Sequence, residues 1–117
     1  MGFVKRIIED DKDPIESFIN NLQKGDAEKL LRQIEKLDKY GLALGAPYIK
    51  QLQNYDLWEF RVQYNRNQHR IIFFIFNQKL ILLHGFTYKD SIPPNELELA
   101  KARKESLLKN ISGKEHQ

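Results

Sequence analysis

The sequence predicts an α+β fold in which two helices precede a run of antiparallel strands and a third helix closes the chain. Apolar residues recur at intervals of three and four before residue 41 and after residue 93, but they alternate with a period of two from Leu57 onward. We expect the element order β-α-α-β-β-β-β-α, as a single domain over 1–117. In the expected arrangement helices pack on one face of a twisted antiparallel sheet, and part of the other face is open to solvent.

The first helix follows a short strand predicted over 3–8. Asp13 supplies an N-cap, Pro14 suits the first helical turn, and Glu16 stands three residues past the cap. An apolar stripe follows at helical spacing until Gly25 ends the element.

A second helix is predicted directly after the first, with Asp26 as its N-cap and Gly41 near its end. Its apolar residues recur at intervals of three and four, namely Leu30, Leu31, Ile34, Leu37 and Tyr40. The two helices therefore form a hairpin. A Gly-Ala-Pro break at 45–47 separates this hairpin from a short strand predicted over 48–53.

From Leu57 the alternation divides one strand into two faces. The face predicted to enter the core carries Trp58, Phe60, Val62 and Tyr64, and the other carries Leu57, Glu59, Arg61 and Gln63. Trp58 and Phe60 are interpreted as core residues rather than as platforms for nucleobase stacking. Polar turns at 65–68 and 77–78 separate this strand from strands predicted over 70–76 and 80–88, which completes an antiparallel meander.

The last helix is predicted to open at Pro93-Pro94. Its apolar stripe consists of Leu97, Ala100, Leu107 and Ile111. Because Lys104 interrupts that stripe, we expect loose docking on the sheet, and we expect fraying over 112–117.

Composition excludes several kinds of site. The 117 residues contain no cysteine, and three scattered histidines lack the spacing of a metal site, so we expect neither metal nor other cofactor. No apolar run approaches the roughly 20 residues of a membrane span, and the N-terminus lacks the apolar stretch of a signal peptide, so we expect a cytoplasmic protein. The net charge is +3, and the three arginines within 61–70 have no acid among them, which predicts a local surface that attracts phosphate.

A set of segments in a fixed order resembles a known family. The segments are Leu57-Trp58-Glu59-Phe60-Arg61, Arg70-Ile71-Ile72-Phe73-Phe74, Leu82-Leu83-His84-Gly85-Phe86 with Lys89, and Pro93, Glu96, Leu97, Ala100 and Arg103, with Pro14-Ile15, Phe18, Gly45 and Pro47-Tyr48-Ile49-Lys50 upstream. The chain is similar to the HigB-like, phage-derived branch of the RelE/ParE toxin superfamily. This resemblance implies a ribosome-dependent, metal-independent endoribonuclease that cuts mRNA and inhibits translation. It also implies a cognate HigA-like antitoxin with a helix-turn-helix.

Such a reaction needs cationic groups, because attack of a 2′-hydroxyl on the adjacent phosphate builds negative charge. A guanidinium can donate two hydrogen bonds to phosphate oxygens, so Arg61 and Arg70 are the leading catalytic candidates. The alternative for Arg61 is a surface ion pair with Glu59, and for Arg70 a charge that flanks the turn. Lys89 is a candidate acid-base or phosphate group, although the family pattern has two consecutive basic residues where this chain has Tyr88-Lys89 before a shorter loop.

Two further candidates have competing structural interpretations. Tyr88 has the chemistry to stack on a base or transfer a proton, but a tyrosine at a strand end also packs at the rim of a sheet. His84 titrates in the range of general acid-base catalysis, yet its apolar neighbours favour a structural role.

Candidates for RNA or ribosome contact come from one turn and the last helix. Arg66 and His69 lie in or beside the turn at 65–68, where a solvated turn is the ordinary interpretation. Lys101, Arg103 and Lys104 make the last helix basic, which is typical of a solvated face but is also suited to ribosomal RNA or an acidic antitoxin.

Two other functions remain open at this stage. A ParE-like member would poison DNA gyrase without nuclease residues. A non-catalytic, phage-derived protein would only bind its partner, and the departure at Tyr88-Lys89 is consistent with that.

Overall fold

A computed structural model describes residues 2–115, with side chains described as far as 111. Five strands form one sheet in the order β1-β5-β4-β3-β2. The strands are β1 (Val4–Arg6), β2 (Ile49–Leu52), β3 (Leu57–Tyr64), β4 (Asn67–Phe76) and β5 (Lys79–Thr87). Neighbours are antiparallel except for β1, which pairs parallel to β5.

Three α-helices accompany the sheet: α1 (Pro14–Asn20), α2 (Lys24–Tyr40) and α3 (Pro94–Glu115). A short 3₁₀ turn over Gly41–Leu44 follows α2, where Gly41 takes a φ of 58° that a side chain would disfavour. The predicted α+β class and element order are confirmed, and the architecture is consistent with a RelE-like fold.

The two faces of the sheet are covered by different helices. Phe60 and Val62 lie in a core with α1 and α2, whereas Leu57 lies in a second core with Ala100 of α3. Trp58 stacks on its cross-strand partner Phe73 with ring centroids 6.3 Å apart, as expected of a core residue.

The expectation that all helices share one face is therefore wrong. The apolar stripe of α3 packs on the face of the sheet that carries Ile72 and Phe74 of β4 and Leu83 of β5, opposite the helical hairpin. Part of this second face stays open where Arg61 and Gln63 lie, because α3 does not cover that end of the strand.

The prediction that Asp26 caps the second helix is also wrong. The helix begins at Lys24 after Gln23, so Gly25 lies in its first turn rather than at the end of α1. Asp26 is instead 4% exposed and accepts hydrogen bonds from His69 and Asn67 on β4.

The turn between β3 and β4 is tighter than the predicted 65–68. It consists of Asn65 and Arg66 alone, with Asn65 at a φ of 54°, and β4 already begins at Asn67. Asparagine tolerates this left-handed conformation, which allows a two-residue hairpin loop. The predicted turn at 77–78 is confirmed, and both of its residues have positive φ.

Lys104 does not loosen α3 as expected. Its ammonium donates to the backbone oxygen and carboxylate of Asp56 at 3.0 and 3.1 Å and lies over the Phe74 ring. The aliphatic stem thus covers apolar surface while the charge reaches a partner. The helical backbone continues to Glu115. The remainder of the segment expected to fray lies outside the described residues.

Candidate phosphate-binding cleft

An open cleft of about 460 Å³ lies on the α3 side of the sheet, between β2, β3, β4 and the segment after β5. Its charged lining residues are Lys50, Glu59, Arg61, Arg70, Lys89 and Asp90. Three residues selected from the sequence, Arg61, Arg70 and Lys89, are therefore brought together in one place. Four cations against two acids give the cleft a positive balance.

Strand register explains why the two arginines meet. Arg61 and Arg70 are direct cross-strand partners of β3 and β4, so both side chains emerge on the same face. Two like charges opposite each other destabilise a sheet, and Glu59 offsets them. Its carboxylate lies 2.9 Å from Nε of Arg61 and 3.4 Å from Nη1 of Arg70.

The two arginines differ in exposure. The side chain of Arg70 is 5% exposed and that of Arg61 is 33% exposed, while Glu59 is buried between them. The ion pair between Arg61 and Glu59 that the sequence suggested does form. It lines a cleft, however, rather than lying on an ordinary surface. Arg61 remains accessible to a ligand.

Arg70 also fixes the position of the segment that carries Lys89. Its Nη2 donates to the backbone oxygen of Lys89 at 3.1 Å. Among the described residues, Nε of Arg70 is buried without a hydrogen-bond partner, whereas Nε of Arg61 faces the Glu59 carboxylate. An unpaired buried donor is costly, so the other contacts of Arg70, to Glu59 and to the backbone oxygen of Lys89, must offset the burial of this atom.

His84 lies outside this cleft. Its Nε2 donates to the Glu96 carboxylate, and its Nδ1 accepts from Nη1 of Arg103 at 3.0 Å. Burial lowers the pKa of His84, opposed by Glu96 and assisted by Arg103. These contacts are those of a structural histidine that joins β5 to α3.

The expectation that His69 lies in a solvated turn is wrong, because this side chain is 1% exposed. Nε2 donates to Asp26 at 2.7 Å, and Nδ1 lies 2.8 Å from the Thr87 hydroxyl. The hydrogen bond from His69 lowers the pKa of Asp26, with a second contribution from Asn67. This cluster joins the start of α2 to β4 and β5, and it leaves His69 without the accessible surface that direct RNA contact needs.

The basic residues selected on α3 make intramolecular contacts. Arg103 donates to Glu9 and to the backbone oxygen of Leu83, and Lys104 is held by Asp56 as described. Lys101 pairs with Glu98 at 3.3 Å and lies over the ring of Tyr55, a lining residue of the cleft. Lys101 thus contacts a residue that lines the cleft.

Tyr88 and Arg66 are exposed but do not line the cleft. Tyr88 is 47% exposed, and its backbone N–H donates to the oxygen of Gln68 at 3.0 Å. Arg66 is exposed in the turn between β3 and β4. Both side chains are thus accessible, although neither lines the cleft.

Three charged lining residues were not selected from the sequence as site residues, namely Lys50, Glu59 and Asp90. Lys50 is the cross-strand partner of Glu59, so it faces the same side as the arginines. Alternation along β2 shows which residues share a face with Lys50, but only the pairing of β2 with β3 shows that this face is the one that carries the arginines. Glu59 was considered only as a partner of Arg61, since a buried acid between two cations requires tertiary contacts to be recognised.

Among residues 2–115, no group of three His, Cys, Asp or Glu side chains is arranged to hold a metal ion. Within the same residues, no helix is long and apolar enough to cross a membrane. The cations of the cleft suit an anionic ligand such as a phosphodiester.

Fold and cleft together define a class: small α+β proteins with a RelE-like fold and a cationic cleft on the open face of the sheet. A family model described as phage derived protein Gp49-like (DUF891) matches residues 17–105. That range includes all the charged lining residues of the cleft. The chain belongs to the Gp49-like family, which is related to RelE-type toxins. Comparison with curated proteins gives no match.

Proposed function

We propose that this chain is a HigB-like toxin of a type II toxin-antitoxin system. In this proposal it is a ribosome-dependent, metal-independent endoribonuclease that cuts mRNA and inhibits translation. The observation that carries the proposal is the convergence of Arg61, Arg70, Lys89 and Lys50 around one cleft in a member of a toxin-related family.

The arginines suit the charge that develops in the reaction. Attack of the 2′-hydroxyl on phosphorus gives a pentacoordinate phosphorane, whose extra negative charge needs donors already in place. Arg61, one-third exposed, directs its guanidinium at the phosphate, and Arg70 stabilises the same charge from below while it holds Lys89. The bond from phosphorus to the 5′-oxygen breaks as the bond to the 2′-oxygen forms, which leaves a 2′,3′-cyclic phosphate.

Lys89 suits the leaving oxygen, which is the 5′-oxygen that separates from phosphorus. A protonated ammonium on a flexible stem can give a proton to the departing 5′-oxygen. It lines the same cleft as Arg61, and its backbone is fixed by Arg70. The 2′-hydroxyl gives its proton to water, which the open cleft admits.

The proposed partners follow from the same function. A HigA-like helix-turn-helix antitoxin holds the toxin inactive, and the ribosome presents mRNA to the cleft in the cytoplasm. A gene for a protein of this kind beside the coding sequence is the expected genetic arrangement.

The decisive experiment compares the wild-type chain with Arg61→Ala and a matched control, Arg32→Ala, on induction in bacteria. Arg32 is exposed on α2, away from the cleft. Mapping of mRNA 5′ ends should show in-frame cuts for the wild type and the control. We expect about a 100-fold loss of cutting for Arg61→Ala, the usual effect of removing one transition-state donor.

Other outcomes assign the chain differently. DNA-damage signalling with intact mRNA would support a ParE-like gyrase poison. Normal growth with intact mRNA would leave a non-catalytic binding protein.

Arg70 needs a more conservative variant than Arg61. Arg70→Ala should also remove toxicity, but the burial of Arg70 against Glu59 makes a loss of folding a competing explanation for that result. Arg70→Lys keeps the charge and gives up the bidentate geometry, so it is the better test of the role of this side chain.

A further inference from the structure

A second, smaller pocket of about 270 Å³ adjoins the cleft, and Arg61 lines both. Its other lining residues are Pro47, Tyr48, Gln63 and Gln68. We propose that this pocket is a base-recognition subsite that reads one nucleobase next to the phosphate held at Arg61. The inference rests on the proposed ribonuclease function and deepens it.

The register of the sheet places two rows of side chains beside each other. Gln63 and Gln68 are cross-strand partners, two residues along each strand from the partners Arg61 and Arg70. Residues two apart on a strand share a face and lie about 6.6–6.8 Å apart. A row of amides therefore lies one step from the row of guanidiniums, which suits a nucleotide whose phosphate and base occupy neighbouring positions.

The chemistry of the amides differs from that of the cleft. A guanidinium attracts any phosphate, whereas a glutamine amide carries both a donor and an acceptor and can match one edge of a base. Gln63 is exposed and Gln68 is half-buried, so both reach the solvent side of the sheet. Bases of single-stranded RNA are read in this way, by hydrogen bonds to their edges and by stacking on aromatic rings.

Tyr48 supplies an aromatic ring at the same pocket. It is 38% exposed, and its backbone oxygen accepts from the N–H of Arg61 at 2.7 Å. This hydrogen bond holds Tyr48 directly beside Arg61, the residue proposed to bind the phosphate. The pocket is smaller than the roughly 300–1,000 Å³ of sites for drug-sized ligands, which suits a single base.

The test is 5′-end mapping of mRNA after induction of the wild type, a Gln63→Ala/Gln68→Ala variant and a Gln51→Ala/Gln53→Ala control. The control glutamines are exposed and lie outside the pocket. We expect the double variant to cut less at the preferred base, while cutting at the least used base, which does not depend on the amides, stays within about threefold of the wild type. The ratio between the most and the least used base at the cut should fall about tenfold, as for loss of one base-edge contact.

A second variant, Gln63→Glu, keeps the size of the side chain but replaces the amide donor with an acceptor. It should change which base is preferred, without loss of folding, because Gln63 is exposed. An active wild type whose base preference survives in both variants would overturn the subsite alone. Intact mRNA with the wild type would overturn the proposed function, and the subsite with it.

Discussion

Protonation of His84 is coupled to the attachment of α3, because both ring nitrogens are engaged. With Nε2 donating to Glu96, Nδ1 accepts from Arg103 only in the neutral ring. Burial lowers the pKa of His84 below the ordinary value of 6.5. The unfolded chain therefore binds this proton at a higher pH than the folded chain does.

The free energy of unfolding should consequently fall as pH drops below 6.5, and the loss should level off below the folded pKa of His84. Urea unfolding between about pH 5 and 8, the range in which histidine titrates, measures this dependence. His84→Gln should flatten it. Asp26 contributes to the free energy of unfolding in a separate, more acidic pH range. Because its pKa in the folded chain is lowered, that contribution is fully present above pH 3.8 and is lost in stronger acid. An identical pH dependence in the wild type and His84→Gln would contradict the coupling.

Glu59 illustrates why only part of the candidate cleft can be predicted from the sequence. Alternation along β3 places Glu59 and Arg61 on one face, and that much can be predicted. The approach of Arg70 to the same carboxylate depends on the register between β3 and β4. Because a one-residue slip would move every side chain to the other face, the turn at Asn65 and Arg66 decides which cations meet.

The helix α3 is held to the sheet by polar contacts as well as by its apolar stripe. The side chain of Arg103 is 12% exposed and joins Glu9, the backbone oxygen of Leu83 and the His84 ring. Its guanidinium therefore links three separate segments. This role differs from the RNA contact that a basic helix suggests.

Arg103→Ala should lower the free energy of unfolding by about 1–3 kcal/mol, because the Leu83 oxygen and the His84 ring lose their partner. The matched control is Lys109→Ala on the same helix, whose side chain is exposed and whose effect should stay within about 0.5 kcal/mol. Chemical denaturation of the purified chains measures both. Equal stability of the two variants would show that Arg103 is available for a ligand after all.

Element boundaries show what local patterns can and cannot predict. The capping signature at Asp13 and the alternation from Leu57 correctly placed the starts of α1 and β3. Asp26 is also a residue type that favours the N-cap position, yet its carboxylate binds His69, a residue 43 positions away. A local rule cannot distinguish a capping carboxylate from one that is needed for a tertiary contact.

At the scale of the whole molecule, folding pairs the basic residues of α3 with acids and gathers other basic residues in the cleft. The sequence holds 19 Lys and Arg against 16 Asp and Glu, which is a small excess of positive charge. Folding pairs Arg103 and Lys104 with acids, but it concentrates four cations against two acids in the cleft. Net charge alone therefore understates the attraction of this surface for a polyanion.

This concentration of charge predicts a defined salt dependence of RNA binding. Each phosphate neutralised on a single strand contributes about 0.7 to the slope of log K against log salt concentration. Binding of an uncleavable 2′-O-methyl oligoribonucleotide, measured by fluorescence anisotropy over a salt series, gives that slope directly. We expect Arg61→Ala to reduce its magnitude by about 0.7. Arg32→Ala should leave the slope unchanged, because Arg32 lies outside the cleft. Equal slopes for the wild type and Arg61→Ala would mean that the phosphates bind elsewhere on the protein, and the role of Arg61 in the cleft would have to be abandoned.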